Sequence, residues 1–269
     1  MANEHAGSYD FGGFEENQGE LERLKRQAAI AAELERSILQ RVGLREGMTV
    51  MDLACGPGIV TGLLARMAAP GMVTGIDLNE TLLDEAQAFA AAEGVENVRF
   101  RQGDVYALDE PHGHYDFIYA RFLFQHLAEP QKALEQVLPL LKPGGKLCVL
   151  DIDDDWLSIY PEPEGFRSFT RRAAEGQNAY GGDRRVGRKL GHLLQNSGFT
   201  HVDETVITVT SRQIGMRNFL DITTGFKREQ VPKEQAAEAR RELENIYSLA
   251  EAGDAWGFVG VFVATGIRP

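Results

Sequence analysis

The sequence predicts an α/β fold, a mostly parallel sheet with helices on both faces, extended by an N-terminal helix and by helical insertions that form a lid. Three observations lead there. Short apolar runs alternate with segments of helical periodicity between residues 48 and 152, the rhythm of strand–helix–strand crossovers. A glycine-rich turn, Ala54-Cys55-Gly56-Pro57-Gly58, lies between the first apolar run and the helix that follows, a setting in which backbone can approach a ligand closely. An acidic residue, Asp77, ends the second run, where a carboxylate can take both ribose hydroxyls of a nucleoside.

The elements follow in order. Residues 1–16 are polar and glycine-rich, an arm or cover. From 20 to 41, Leu21, Leu24, Ala28, Ala31, Leu34 and Ile38 recur at steps of three and four, with Glu22, Arg26, Glu33 and Arg36 elsewhere. That spacing makes one apolar stripe on a helix, stopped at Gly43. Residues 48–54 read as a buried strand, 59–67 as a helix closed by Pro70-Gly71, and 72–77 as the second strand. A helix at 82–92 ends before Gly94, and strands follow at 98–102 and 117–120. A helix at 133–141 leads to a fifth strand at 146–152. After Asp151 the rhythm breaks, and residues 153–185, rich in Asp, Pro and Gly, read as an insertion. A helix at 186–196, a strand at 201–209, a mostly helical stretch at 213–252 and a last strand at 257–264 complete the chain. The expected division is an arm and helix (1–42), a core (43–152), a substrate-binding insertion (153–185) and the rest of the core (186–269) with a helical lid insertion at about 213–252.

Bulk properties narrow the function. With 40 acidic against 28 basic residues the formal net charge is −12, a field that repels phosphate backbones and argues for a small-molecule partner, not nucleic acid. The opening Met-Ala-Asn-Glu-His has no basic start and no apolar stretch behind it, so neither a signal peptide nor a membrane span is expected. Two cysteines, Cys55 and Cys148, form neither a disulfide framework nor a zinc site. The expectation is a cytoplasmic protein with no bound metal, its state as monomer or homodimer open.

The glycine-rich turn lacks the three-glycine G-x-G-x-x-G spacing that admits a pyrophosphate, and lacks the Lys-Ser/Thr ending of a phosphate-binding Walker loop. Asp104, in Arg101-Gln102-Gly103-Asp104-Val105, follows the third strand, where its carboxylate can accept from an adenine amino group.

With these motifs the sequence resembles the class I S-adenosylmethionine (SAM)-dependent methyltransferases, and more narrowly their UbiE-like branch, which includes many natural-product enzymes. The likeness runs through residues 52–58, Gly75-Ile76-Asp77, Gly103-Asp104, residues 115–130 and Leu141-Lys142-Pro143-Gly144-Gly145. It implies a Rossmann-like, seven-stranded sheet whose last strand is antiparallel, with SAM lying across the carboxyl ends of the first strands. It also implies that Gly56 and Gly58 bring backbone near the methionine part of SAM, that Asp77 holds the ribose and that Asp104 and Val105 frame the adenine. Arg121 and Gln125 fall beside the cofactor, and Tyr9 is the candidate to close over it. Asp52, Ala54, Pro57, Leu78 and Gly103 join the expected cofactor site from the same motifs. Ala54 departs from the glycine often found there, and Asp52 has the alternative role of orienting the loop. Gly144 and Gly145 are assigned only a turn.

Methyl transfer from SAM is a matter of alignment and water exclusion, with a base needed only for a protonated acceptor. His126 is the candidate base or substrate contact, since histidine titrates near neutrality. Asp151, Asp153, Asp154 and Asp155 read as a solvated loop at a strand end, with recognition of a cationic amine, and after it of a metal, as the sharper alternative. Arg171-Arg172 and Arg184-Arg185 read as anion recognition or as surface charge. Trp156, Tyr160, Phe166, Phe169, Tyr180, Phe219, Phe226 and Tyr247 are expected to give the acceptor pocket a ring-binding character, or to pack the lid. The expected activity is methylation of O or N, with C close behind, on a small metabolite. The competing readings are an RNA or protein methyltransferase, a SAM-binding protein without methyl transfer, and an NAD-dependent oxidoreductase, which the loop disfavours.

Overall fold

The computed structural model describes Ser8, residues 17–251 and residues 253–269. Seven strands, β1 (Val50–Leu53), β2 (Val73–Asp77), β3 (Val98–Gln102), β4 (Tyr115–Arg121), β5 (Leu141–Tyr160), β6 (Thr200–Thr210) and β7 (Trp256–Ile267), form one sheet in the order β3-β2-β1-β4-β5-β7-β6. β1 to β5 run parallel, and β7 inserts antiparallel between β5 and β6. The order turns back on itself between β1 and β4, and in such sheets the crevice outside the carboxyl ends of those strands is where ligands bind.

Helices α1 (Asn17–Val42), α2 (Ile59–Ala68), α3 (Glu80–Ala92), α4 (Pro130–Val137), α5 (Phe166–Asn178) and α6 (Leu190–Asn196) precede the short α7 (Ser211–Ile214) and α8 (Met216–Thr223) and the final α9 (Ala236–Ser248). Alternation along β4 shows how the layers are made. Ile118 and Ala120 pack toward α4 and α6 with Leu134, Leu190 and Leu194, while Phe117 and Tyr119 pack toward α1 and α2 with Ile38, Leu39 and Leu64. Both faces are covered, so the central strands are mostly apolar, with Asp52 on β1 and Thr74 on β2 as buried polar exceptions. No helix among the described residues is long and apolar enough to cross a membrane.

The departures from the expected elements have identifiable causes. The helix expected at 133–141 starts at Pro130, whose fixed φ and missing N–H suit a first helical turn. A 3-10 turn at Leu138–Leu140 then leads directly into β5. β5 itself, expected to stop at 152, continues to Tyr160. After a register shift it resumes pairing with β7, from Leu157 opposite Val259 to Tyr160 opposite Trp256. Asp153, Leu157 and Ile159 are buried along this extension, and a charged residue in that alternation disguised a strand as a loop. The extension carries a third core in which Leu157 and Ile159 meet Phe166, Phe169, Phe219, Leu220 and Ile246 from α5, α8 and α9.

Candidate active site

A cavity of about 760 Å³ opens at the carboxyl ends of β1, β2 and β4 and extends under α1 toward residues 213–230. That volume lies within the usual range for a small-molecule site.

The β1–α2 loop builds one half. Ala54, Gly56 and Gly58 all have positive φ, at 58°, 52° and 74°. An alanine in the left-handed region costs about 1–2 kcal/mol, so the conformation of Ala54 explains in physical terms why glycine suits its position. Gly56 lines the cavity, with no atom within 4 Å of where a Cβ would stand. Gly58 does not line it. A Cβ there would come within 2.6 Å of the Ala86 Cβ, so Gly58 lets α2 and α3 pack closely, a demand for glycine that needs no ligand.

Asp77 ties the loop down. Its Oδ2 accepts the Gly56 N–H at 2.8 Å and its Oδ1 accepts the Asn79 N–H at 2.9 Å, while burial raises its pKa above the ordinary value. Asp104 accepts the Tyr106 N–H at 2.9 Å and lines the same wall. Asp52 is buried and accepts from the Thr61 hydroxyl at 2.6 Å. Burial, with a further push from Glu35, raises its pKa to about 7. Ala54, Pro57, Leu78, Gly103, Val105, Arg121, Gln125 and His126 also line the cavity. Tyr9 lies outside the described residues.

Glu35 is a site residue that the sequence reading missed. It reaches from α1 to accept the Tyr119 hydroxyl at 2.6 Å and the Arg121 Nε at 3.1 Å, and its side chain is 2% exposed. The signal was present: Glu35 interrupts the apolar series Ala28, Ala31, Leu34 and Ile38, and an acid on the buried stripe of a helix needs a partner.

The other half is built around Arg184. Its Nε and Nη2 meet the two carboxylate oxygens of Asp154 at 3.0 and 2.9 Å, and its Nη1 donates to Gln125 Oε1 at 2.5 Å. Lys227, fully buried, places its Nζ 2.8 Å from Asp154 Oδ2, without the angle of a hydrogen bond. The two cations hold the Asp154 pKa down to about 2. His126 Nδ1 lies 3.0 Å from the Ser8 hydroxyl and 3.3 Å from Gln177 Nε2. An amide N–H can only donate, so Nδ1 is an acceptor and the ring proton belongs on Nε2. Burial, with Arg184 and Arg23 nearby, lowers the His126 pKa to about 3. Such a ring is a poor base near neutrality, and the expectation for His126 narrows from base to hydrogen-bonding contact.

Three further expectations change. The acidic cluster is not a solvated loop. Asp151 is buried under the N–H groups of Gln125 and Ile152, with its pKa raised to about 7, Asp153 pairs with Arg188, and Asp155 pairs with Arg185 and Arg188. Of the four paired arginines, Arg184 alone lines the cavity; Arg171 and Arg172 pair with Glu175, Glu238 and Glu242, and Arg185 is exposed. Of the eight aromatics expected at the acceptor pocket, Phe226 lines the cavity, whereas Phe166, Phe169 and Phe219 fill the third core and Tyr160 and Tyr180 face solvent. The apolar wall comes instead from aliphatic residues of α1 and from Ile214, Ile222, Val259 and Val261. Among the described residues no group of three His, Cys, Asp or Glu is placed to hold a metal ion.

Residues 44–198 match the model of a protein family described as a methyltransferase domain. The chain belongs to that family. An uncharacterized 37.1 kDa protein in transposon TN4556 of Streptomyces fradiae is 33% identical over 65% of this chain and 49% of that protein. The ubiquinone/menaquinone biosynthesis C-methyltransferase UbiE of Shewanella halifaxensis is 36% identical over 43% of this chain and 47% of its own. The chain spans about half the length of the curated relatives it matches. Among solved structures, the YcgJ protein from Bacillus subtilis superposes with a TM-score of 0.61 at 18% identity, covering 86% of this chain and 96% of that one, a likeness of fold. The resemblance to class I SAM-dependent methyltransferases of the UbiE-like kind therefore holds. The matched segment supplies β1 to β5 and the loops of the cofactor half, while α1 and the walls after residue 198 lie outside it.

The residues present fit SAM. A carboxylate at the end of β2, an open glycine beside it and a second carboxylate after β3 share one wall of a cavity large enough for a nucleoside and an acceptor together.

Proposed function

We propose that this chain binds SAM and transfers its methyl group to O or N, or to C, of a small-molecule metabolite. The observation that carries the reading is the Asp77–Gly56 hydrogen bond at the mouth of a cavity that runs on to the Arg184 and Phe226 wall. One cavity thus offers a cofactor end and an acceptor end. When bound, SAM supplies an electrophilic methyl carbon. The chain's own residues hold and align: Asp77 the ribose, Asp104 and Val105 the adenine side, Gly56 and Pro57 the methionine side, with Arg121 and Gln125 between the two ends. α1 and residues 213–230 exclude water, which strengthens every polar contact inside. The net charge of −12 supports a small-molecule acceptor over nucleic acid, and the two buried free cysteines suit a cytoplasmic location.

Calorimetric titration with SAM and S-adenosylhomocysteine (SAH), with NAD as control, tests the reading. Binding of both adenosyl ligands and none of NAD is expected. Binding of NAD alone, or of neither adenosyl ligand, refutes it.

A further inference from the structure

The two halves of the cavity differ in charge. Glu35, Asp52, Asp77 and Asp104 line the cofactor half, with Arg121 as the cation beside them. At the acceptor half Arg184 and Asp154 line the cavity, and the fully buried Lys227 behind them shares the single Asp154 carboxylate with Arg184. Burial lowers the Lys227 pKa to about 8, still above neutrality, so near pH 7 two largely positive groups face one negative, and Lys227 Nζ has no hydrogen bond of acceptable geometry to spend that surplus on.

The other titratable groups facing this half do not cancel that surplus. Arg23, from α1, is held in a two-point pair by Glu20. Asp151, on β5 behind Gln125, is half protonated near neutrality because burial raises its pKa to about 7, and it spends its oxygens on two N–H groups. His126, after β4, stays neutral. Phe226 completes the wall, its ring centroid 5.3 Å from the Arg184 guanidinium and 4.7 Å from that of Arg23, so a flat apolar surface adjoins the cations.

We infer that the methyl acceptor is bound as an oxygen anion, an ionised phenol or enol, with its charge toward Arg184, its body against Phe226, and the buried Lys227 adding its field from behind Asp154. This rests on the methyltransferase reading and names the acceptor class for it. An opposite charge within about 4–6 Å lowers the pKa of an acid by about 1–3 units. On methylation such an oxygen gains an O–C bond and loses its charge, while the bond that breaks leaves its electron pair on sulfur, so no proton has to be removed. No general base is then required, which accords with the neutral, weakly basic His126.

The probe is 7-hydroxycoumarin, whose neutral and anionic forms have different excitation maxima, titrated with pH in the presence of SAH-saturated protein. The bound dye is expected to ionise about 1 unit lower than the free dye, a tenfold rise in the anion-to-neutral ratio. Lys227→Met should abolish that shift and Lys227→Arg preserve it. Asp154→Asn, which removes the counter-charge, should enlarge it, an opposite sign that a folding defect does not produce. An unchanged or raised dye pKa, no dye bound by protein that binds SAH, or preferential capture of benzylamine overturns the inference. SAH binding in the same samples separates the two readings, because loss of SAH binding refutes the methyltransferase assignment and loss of the dye shift alone refutes only the acceptor class.

Discussion

Replacing Glu35 with Gln tests the anchor between α1 and the sheet. The carboxylate is 2% exposed and accepts from Tyr119 and Arg121, so the change leaves an arginine without its counter-ion. Removing one partner of a fully buried pair costs about 3–5 kcal/mol. Three features reduce that figure. The Arg121 side chain is 13% exposed and borders a cavity that water can enter, the Gln amide oxygen still accepts the Tyr119 hydroxyl, and Asp52 loses a repelling neighbour. A loss of about 2 kcal/mol is expected, set by the charged bond to Arg121. Urea unfolding at pH 7 reads it directly. The same experiment at pH 6 and pH 8 has a second expected outcome: the Asp52 pKa falls when Glu35 is neutralised, so the pH dependence of stability shrinks between those values. A variant within about 0.5 kcal/mol of the parent, with an unchanged pH dependence, refutes the anchoring argument.

On the proposed reading Asp77→Ala removes the acceptor for the ribose hydroxyls as well as the tie to Gly56, so SAH affinity in calorimetry should fall by about 2–4 kcal/mol, roughly 30- to 1000-fold; near-normal affinity would remove Asp77 from the site. Asp52 and Asp151 both sit at about 7, above the ordinary 3.8, so the folded protein keeps protons that the unfolded chain releases. Their contribution is fully present below about 4 and is lost as pH rises toward and through 7. His126, lowered to about 3 from 6.5, acts in the opposite sense over the lower part of that window. Asp151→Asn should therefore flatten the fall in urea midpoint from pH 5 to pH 7, and an unaltered slope would contradict the assignment. Gly58→Ala adds a Cβ against Ala86 at φ 74°, and should lower stability by about 2–4 kcal/mol while the folded fraction still binds SAH; weakened SAH affinity in folded protein would return Gly58 to the cofactor site.

That Gly56, Asp77 and Asp104 would share one cavity wall was legible in the sequence because these residues are carried by short segments with fixed local roles. A glycine-rich turn after an apolar run and a carboxylate ending the next run are adjacent in the chain and constrained by backbone geometry, so Gly56, Asp77 and Asp104 fell where their motifs put them. Gly58 shows the limit of that logic: a positive φ demands glycine for helix packing as readily as for a ligand. The acceptor half was legible only in part, since Gln125, Asp154 and Arg184 stood out in the sequence but their mutual arrangement did not. Arg23, Gln125, Asp154 and Arg184, with Lys227 buried behind Asp154, come from five separate segments, and only the fold brings them together. Charge in a sequence reads as solvent exposure, so the strand through Asp153 and the buried pair of Asp154 and Arg184 both resembled loop. The aromatics misled for the reverse reason, since apolar bulk fills any core and Phe166, Phe169 and Phe219 fill the third one.

α1 connects what the two halves do. Arg23 and Glu35 lie twelve residues apart on it, about 18 Å at the rise of an α-helix, and they border the acceptor and cofactor ends of the same cavity. The helix is continuous from Asn17 to Val42 and has no proline between, so it moves as a rod and not as two independent flaps. Fixing Glu35 on Tyr119 and Arg121 therefore also fixes where Arg23 meets Phe226. The matched family segment begins after this helix, at residue 44. The loops proposed to hold the cofactor thus lie within the family match and the helix that ties the two ends together lies outside it, so on the proposed reading variants of α1 should alter acceptor choice more than cofactor binding.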